Sequence, residues 1–146
     1  MTTPSRAAPL FGDLLALARE SWVRAMSGRL AHLGYNDYRR SDALALRVLV
    51  RASLPLGAFT SSLGVSRQAA RKVVSGLVER GFARVSVDEN DSRRRNVQLT
   101  ASGRDYGRAV IAVIHELDGE LATKIDPESL DVARDVLVFV RDAFGP

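Results

Sequence analysis

The sequence predicts a mainly α-helical chain with one small β-hairpin between its helices. Three observations indicate this fold class. Apolar residues recur every three or four positions through most of the 146-residue chain, which is the period of a helix. One short stretch near position 85 alternates apolar and polar side chains, which is the period of a strand. Glycine or proline stands where most of the periodic segments end, so the elements can be placed in order.

The first long helix is predicted from residue 9 to about residue 33. Its apolar face carries seven side chains at spacings of three and four: Phe11, Leu14, Ala18, Trp22, Met26, Leu30 and Leu33. Gly34 is expected to end this helix. A second helix is predicted to begin at a cap from Ser41 or Asp42. It should end near Leu54, because the proline that follows disfavours a helical residue before it.

Two short helices that meet at a tight turn form a helix-turn-helix candidate. Phe59 and Leu63 lie one turn apart in the first helix, which Gly64 ends. A second helix begins at a serine cap and runs to about residue 80, where Gly81 ends it. On a helical wheel its polar side carries the candidate DNA-binding residues Ser66, Arg67, Gln68, Arg71, Lys72 and Ser75. Reading a DNA major groove requires such long donors, an amide, and short residues that allow close approach. The alternative is the solvated face of an ordinary amphipathic helix.

A β-hairpin with a charged loop is predicted next. Residues 83–87 and 96–99 alternate apolar and polar side chains, and turn-forming residues follow the first run. The loop then carries three adjacent arginines, Arg93, Arg94 and Arg95. Like charges gathered on a loop favour an anionic partner such as a narrow DNA minor groove. Asp91 is placed to accept a hydrogen bond from an arginine and so to orient it. The alternative is a flexible basic turn neutralised by its acidic neighbours: Asp88, Glu89 and Asp91.

Two helices are predicted after the hairpin. Thr100 caps the first, whose apolar positions extend to about Leu121. Asp126 and the proline and glutamate after it are a start signal for the last helix, which reaches about Phe144. The last helix has two apolar stripes: Leu130, Ala133, Leu137, Val140 and Phe144, and Val132, Val136, Phe139 and Ala143. An apolar arc this wide has more surface to bury than one neighbour covers, so a partner is expected.

Composition excludes several kinds of site. The chain has no cysteine, which removes disulfides, thiolate metal sites and cysteine nucleophiles. His32 and His115 have no metal-ligand spacing, and no serine–histidine–acid arrangement or phosphate-binding glycine loop is visible. We therefore expect no enzyme, no cofactor and no metal. Without a signal peptide or a long apolar run, the expected location is the cytoplasm, without membrane contact.

The charge is divided unevenly along the chain. The first hundred residues carry a formal charge of +8 and residues 101–146 a charge of −4. All the basic residues except Lys72 and Lys124 are arginines, which suit bidentate contacts to phosphate and guanine. The predicted helix-turn-helix and hairpin therefore lie in the basic part of the chain.

Four segments resemble the MarR family of bacterial transcriptional regulators. They are LGVSRQ at 63–68, LVERGF at 77–82, the loop pattern D-x-R-x-R at 91–95, and LTASGR at 99–104. The segments occur in the same order as in the family, and the flanking helices match in length, so the resemblance covers nearly the whole chain. The loop pattern with the following Leu-Thr-x-x-Gly-Arg is fairly specific, whereas many families share a helix-turn-helix.

The resemblance implies a fold and a mode of action. Residues 1–146 would form a single MarR-like domain, with 41–100 as a winged helix-turn-helix lobe and 9–34 and 101–146 as dimerisation helices. Such proteins are homodimers whose recognition helices enter successive major grooves of a palindromic operator on double-stranded DNA. The wing arginine that matches Arg93 enters the minor groove, held by the acid that matches Asp91.

A small-molecule effector is also implied by the resemblance. Many family members release DNA when a small, often aromatic or phenolic, anion binds between the dimer helices and the lobe. The candidate pocket residues here are Trp22, Met26, Tyr38 and Arg47, although Trp22 on an apolar face also suits packing. Residues 35–42 differ from the Leu-Thr-x-x-Gln stretch that the family often has there, so the identity of a ligand is not carried over.

The sequence thus predicts a dimeric, sequence-specific DNA-binding regulator, acting as a repressor. The alternative from another class is a helical dimeric protein-interaction module with a degenerate winged fold. It is suggested by the wide apolar arc of the last helix and by a small-residue surface around Gly57, Ala58 and Ser61.

Overall fold

Six helices and three short strands make up residues 8–145, the part of the chain that the computed structural model describes. In chain order they are α1 (Phe11–His32), α2 (Asp42–Leu49), β1 (Leu54–Pro55), α3 (Leu56–Leu63), α4 (Arg67–Glu79), β2 (Ala83–Val87), β3 (Arg95–Leu99), α5 (Ala101–Lys124) and α6 (Pro127–Phe144). The predicted fold class, mainly helical with a small hairpin, is confirmed. The chain divides into two units, Met1–Arg39 and Arg40–Pro146. The finer assignment of dimerisation helices and a DNA-binding lobe stays a prediction.

The first unit contains α1, which has the predicted position and end. Gly34 takes a φ of +91°, a left-handed conformation that glycine adopts without steric cost, and the helix stops just before it. The first turns of α1 expose large apolar side chains to at least half of their area: Leu10, Phe11, Leu14 and Leu17. The sequence pattern therefore placed this helix correctly, and its N-terminal half presents apolar surface.

The helix α2 starts where the sequence predicted, with Ser41 at its N-cap position, but its end differs from the prediction. The helix ends at Leu49 and not near Leu54, because Leu54 and Pro55 leave it to pair with β3 as the edge strand β1. Pro55 is tolerated at a sheet edge, where a missing N–H breaks no ladder. The side chain of Ser41 makes no capping hydrogen bond. The carboxylate of Asp42 is bonded elsewhere.

The strands form one antiparallel sheet in the order β1-β3-β2. The predicted hairpin is present, with Ala83 opposite Leu99 and Val87 opposite Arg95. Its second strand begins at Arg95, one position before the predicted run of 96–99. Because β3 is the central strand, its Val97 is fully buried, whereas Val85 opposite it is 44% exposed. The sheet thus ties the wing to the segment that precedes α3.

The caps predicted for α4, α5 and α6 are confirmed. Ser66 Oγ accepts a hydrogen bond from the backbone N–H of Ala69 at 3.1 Å. Thr100 Oγ1 and Asp126 Oδ1 accept equivalent bonds three residues further on, at 3.0 and 2.9 Å. Each bond satisfies a backbone donor that the first turn of a helix leaves without a partner.

The start of α5 is held against the start of β2. Thr100 donates its hydroxyl to the carbonyl of Gly81 at 2.6 Å and its backbone N–H to the carbonyl of Phe82 at 3.0 Å. Gly103 lies so close that an added Cβ would collide with the carbonyl of Phe82. Only glycine fits there, so the base of the wing and the long helix are fixed to each other.

The buried apolar side chains of the second unit come from α2 through α5: Ala45, Leu46, Leu49, Phe59, Leu63, Ala70, Val74, Leu77, Ala83, Val97, Leu99, Tyr106, Val110, Val113 and Leu117. None of the residues of α6 is buried. Its apolar side chains are exposed to between 40% and 80%: Val132, Val136, Leu137, Val138, Phe139 and Phe144. In residues 8–145, no helix is long and apolar enough to span a membrane.

Candidate nucleic-acid interface

The turn between α3 and α4 sets the geometry of the predicted helix-turn-helix. Gly64 follows α3 with φ +62° and ψ +33°, a left-handed conformation that favours glycine. Two residues later the Ser66 cap starts α4. Phe59 and Leu63 of α3 are buried, as their spacing predicted, so the first helix supports the second through its apolar side.

The polar side of α4 is exposed over its whole length. All six residues of the predicted DNA-binding set are exposed: Ser66, Arg67, Gln68, Arg71, Lys72 and Ser75. On the opposite side Ala70, Val74 and Leu77 are buried, together with Gly76. Within the described chain, the three cations of the set form no salt bridge. Their charge is therefore available to an outside partner.

A groove lies between α3 and α4 on this side. It has a volume of about 490 Å³ and is lined by Leu56, Gly57, Thr60, Ser61, Arg67 and Arg71. Thr60 and Ser61 donate their hydroxyls to carbonyls four residues earlier, at 2.8 and 3.1 Å. They were not among the predicted site residues, although the run of hydroxyl residues before Gly64 was the available signal. Gly57 and Ser61, which suggested a protein-contact surface, thus lie beside two arginines.

The acidic residues of the wing shape its turn. Asp91 Oδ1 accepts a hydrogen bond from the backbone N–H of Arg93 at 2.9 Å, and its carbonyl accepts from the N–H of Arg94. Asp88 accepts from the N–H of Asn90 and from the side chain of Asn96. These two hydrogen bonds hold the pKa of Asp88 below its usual value, and the bond from Asn90 has the larger effect. Asp91 therefore bonds the backbone of Arg93, and its role in orienting an arginine side chain stays a prediction.

The three arginines of the wing tip are exposed. Arg93, Arg94 and Arg95 form no salt bridge in the part of the chain that the structure describes. Arg95 donates to the backbone carbonyl of Ser92 at 3.1 Å, which is a neutral partner. The charge of Arg94 is nevertheless one of the effects that lower the pKa of Asp88, so the alternative of a basic turn neutralised by its acidic neighbours stays open. The tip offers three guanidinium groups to an anion.

A buried polar network at the end of α4 was missed by sequence reasoning. The carboxylate of Asp42 is fully buried and binds the guanidinium of Arg80 through two bonds, of 2.7 and 2.8 Å. The hydroxyl of Tyr106 donates to the same carboxylate at 2.8 Å. Arg80 Nε also donates to the carbonyl of Gly76, one turn back in α4. The residues are 38 and 64 positions apart, so no local pattern pointed to the network.

Aromatic contacts complete the surroundings of this network. The ring of Phe82 stacks on that of Tyr106, with 4.3 Å between centroids, and the guanidinium of Arg80 lies 5.5 Å from the Phe82 ring. Burial, and then the charge of Asp42, raise the pKa of Tyr106 far above its usual value. Tyr106 therefore stays protonated and serves as a donor to the carboxylate.

The four predicted effector residues are divided between the two units. Trp22 and Met26 lie in α1 and Tyr38 in the segment after it, whereas Arg47 lies in α2. Their grouping into one pocket stays a prediction. Arg47 does line a pocket of about 280 Å³ inside the second unit, formed by α2 and α5 with Val50, Arg51, Ile111, Ile114, His115 and Asp118. In residues 8–145 no group of three or more acidic or histidine side chains is placed to hold a metal ion.

Comparison with known proteins gives matches among solved structures. No family model matches the sequence, and no curated protein matches it. The PcaV transcriptional regulator from Streptomyces coelicolor, solved with its natural ligand, is 21% identical with a TM-score of 0.79, over 98% of this chain and 99% of that chain. MepR from S. aureus, solved with DNA, is 16% identical with a TM-score of 0.78, over 93% and 99%. Wild-type MarR from E. coli is 20% identical with a TM-score of 0.61, over 92% and 98%.

These matches extend over almost the whole length of both chains. They confirm the predicted architecture, in which a helix-turn-helix and a β-hairpin wing lie between long helices. The likeness that the sequence segments indicated is therefore a likeness in fold to the MarR type of regulator.

Proposed function

We propose that this chain is a sequence-specific DNA-binding transcriptional regulator that acts as a homodimer. One observation carries the proposal: the exposed polar side of α4 and the exposed arginines of the wing tip belong to the same unit, Arg40–Pro146. A helix with exposed arginines, a lysine and a glutamine suits the major groove, and a loop with exposed guanidinium groups suits the minor groove or the phosphates. No catalytic role is part of this function.

The exposed apolar surface of α6 supports the dimer. A helix with no buried residue and six exposed large apolar side chains is not stable as a free surface in water, so a second copy is the partner that we assign to it. Two copies related by a two-fold axis would place two α4 helices about 34–36 Å apart on a palindromic operator.

The solved structures support the same function. MepR was solved with DNA and PcaV with its natural ligand, and both match this chain over almost its full length. We accordingly propose a repressor that acts in the cytoplasm and whose operator binding responds to a small-molecule effector.

Selection of duplexes from a random library, followed by affinity measurements at two salt concentrations, tests the proposal. We expect a preferred palindromic sequence bound with a Kd of about 10⁻⁸ to 10⁻¹¹ M and a steep loss of affinity with salt. Weak binding that is uniform among sequences would contradict it and would favour the protein-interaction module.

The arginine at the wing tip gives a sharper test. Arg93→Ala should lower the affinity for the selected duplex by about tenfold, because it removes one groove or phosphate contact. The matched control is Arg108→Ala, which removes the same charge from an exposed side chain of α5 that pairs with Asp105. Both variants should keep the free energy of unfolding of the wild type. Equal affinities for Arg93→Ala and the control would remove the wing from the interface.

A further inference from the structure

The Asp42 network joins three helices of the second unit at one carboxylate. Asp42 is the first residue of α2, Arg80 directly follows α4, and Tyr106 lies in the second turn of α5. Arg80 donates to both oxygens of the carboxylate, and Tyr106 donates to one of them as well. A shift of any of the three helices would therefore lengthen a bond that the others depend on.

The geometry at Arg80 fixes the direction of α4 as well as its position. The guanidinium is a planar fork, and its two terminal nitrogens meet the two carboxylate oxygens of Asp42. Its third nitrogen donates to the carbonyl of Gly76 inside α4 at 2.9 Å. One rigid group thus links the last turn of α4 to α2, and the helix cannot rotate about its axis without breaking the fork.

A buried ion pair is weak evidence for stability, since apolar residues of the same volume often stabilise a core equally well. In some proteins such a pair instead fixes one arrangement of the elements that it joins. Here the pair holds α4 in place. The side of α4 opposite its buried apolar residues carries the exposed cations.

We propose that the Asp42–Arg80–Tyr106 network positions α4 for reading DNA, with Tyr106 as the positioning residue that couples α4 to α5. This inference rests on the proposed function. The pocket beside Arg47 is lined by the same two helices, α2 and α5, that the Tyr106–Asp42 bond holds together. A change in the spacing of these helices therefore reaches α4 through the shared carboxylate.

The test is Tyr106→Phe in the full-length chain. This variant removes one hydrogen bond and keeps the ring that stacks on Phe82. The matched control is Val110→Ala, which truncates a fully buried side chain one turn further along α5 and leaves the network intact. For each protein we would measure unfolding, the Kd for the selected duplex and for a scrambled duplex, and the salt dependence of both.

We expect Tyr106→Phe to lose sequence specificity while it keeps the electrostatic part of its binding to DNA. Tyr106→Phe should weaken binding to the selected duplex by about tenfold, as a misplaced base contact does, and leave the scrambled duplex and its salt dependence unchanged. Val110→Ala should bind both duplexes as the wild type does when both proteins are fully folded.

Three outcomes would overturn the inference. Equal specificity in Tyr106→Phe and the wild type would do so, and so would equal losses in Tyr106→Phe and Val110→Ala. A wild type that prefers no duplex would overturn the proposed function together with the inference. If Tyr106→Phe does not fold, Arg80→Lys replaces it, since it keeps the charge and loses the fork, and the same comparison with Val110→Ala decides.

Discussion

The aspartates of this chain differ in their hydrogen-bond partners, although they carry the same charge. Asp88 and Asp91 are close to three arginines in sequence, yet their carboxylates accept backbone N–H groups and an asparagine amide. The arginines are left charged and exposed. Asp42 does the opposite, since it is buried and both of its oxygens bind Arg80. Residue type alone did not distinguish these uses.

Tyr106 should make the free energy of unfolding fall at alkaline pH. Its pKa is raised by burial and by Asp42, so the folded chain keeps the phenolic proton where the unfolded chain loses it. The stabilisation is fully present below the unfolded pKa of about 10 and is lost as the pH rises above that value. We expect the free energy of unfolding to fall by up to ~1.4 kcal/mol per pH unit above pH 10. Chemical denaturation at about pH 9 and 11 measures this. Tyr106→Phe is the control, and equal slopes in both proteins would contradict the prediction.

At the scale of elements, local signals placed most helices and the hairpin. Three caps, at Ser66, Thr100 and Asp126, have the hydrogen bonds that their sequence positions predicted. The turn glycines Gly34 and Gly81 have positive φ values at the expected ends. These features depend on residues within four positions of each other, so a single sequence contains them.

The missed elements depend on distant partners. The strand β1 has two residues and exists because Leu54 and Pro55 pair with residues 96 and 97, more than forty positions later. The same pairing shortened α2 relative to its apolar pattern. For the candidate interface, the polar side of α4 and the wing tip were predicted from the sequence. The groove with Thr60, and the network that holds α4, needed the folded arrangement.

Two glycines of α5 should respond to alanine in opposite directions. Gly103→Ala should lower the free energy of unfolding by about 2 kcal/mol or more, because the new methyl group collides with the Phe82 carbonyl. Gly119→Ala is the control in the same helix, where no atom lies within 4 Å of the added Cβ. It should raise the free energy by about 0.5–1 kcal/mol through helix propensity. Urea denaturation of both variants measures the difference, and a neutral Gly103→Ala would contradict the close approach.

Two substitutions at the cap of α4 should separate an effect on stability from an effect on binding to DNA. Ser66→Ala should lower the free energy of unfolding by about 1 kcal/mol, because the N–H of Ala69 loses its acceptor. Ser66→Asp keeps an acceptor at the cap and should keep the stability. It should nevertheless weaken binding to a duplex, because it places a negative charge at the exposed start of α4. If Ser66→Asp binds DNA as the wild type does, this end of α4 does not face the phosphates.

At the scale of the whole molecule, charge and apolar surface are separated along the chain. The first hundred residues hold the excess of positive charge, and the acidic segment after them ends in α6 with its exposed apolar side chains. Such a division suits a protein in which one part binds a polyanion and another binds a second copy. In the part of the chain that the structure describes, neither the exposed cations of α4 and the wing nor the exposed apolar side chains of α6 are buried in the core of a single chain.

A charge placed on α6 should dissociate the dimer that we propose. Phe139 is 67% exposed, so Phe139→Asp should leave the fold of one chain intact while it puts a carboxylate into the apolar interface. Sedimentation equilibrium should report a shift from the mass of two chains towards one. Asp135→Arg, a charge change at an exposed polar position of the same helix, is the control and should stay dimeric. A monomeric wild type would contradict the assignment of a second copy to α6.

The contacts around Gly81, Phe82, Thr100 and Gly103 have a consequence for how such a protein could diversify. They anchor the base of the wing to α5, while Arg80, next in the chain to Gly81, anchors the end of α4. The position of α4 relative to the wing is therefore set by contacts that involve none of the exposed cations. A protein built in this way could acquire a new target sequence by substitutions among the exposed side chains of α4 and the wing, while the contacts that place the two elements stay the same.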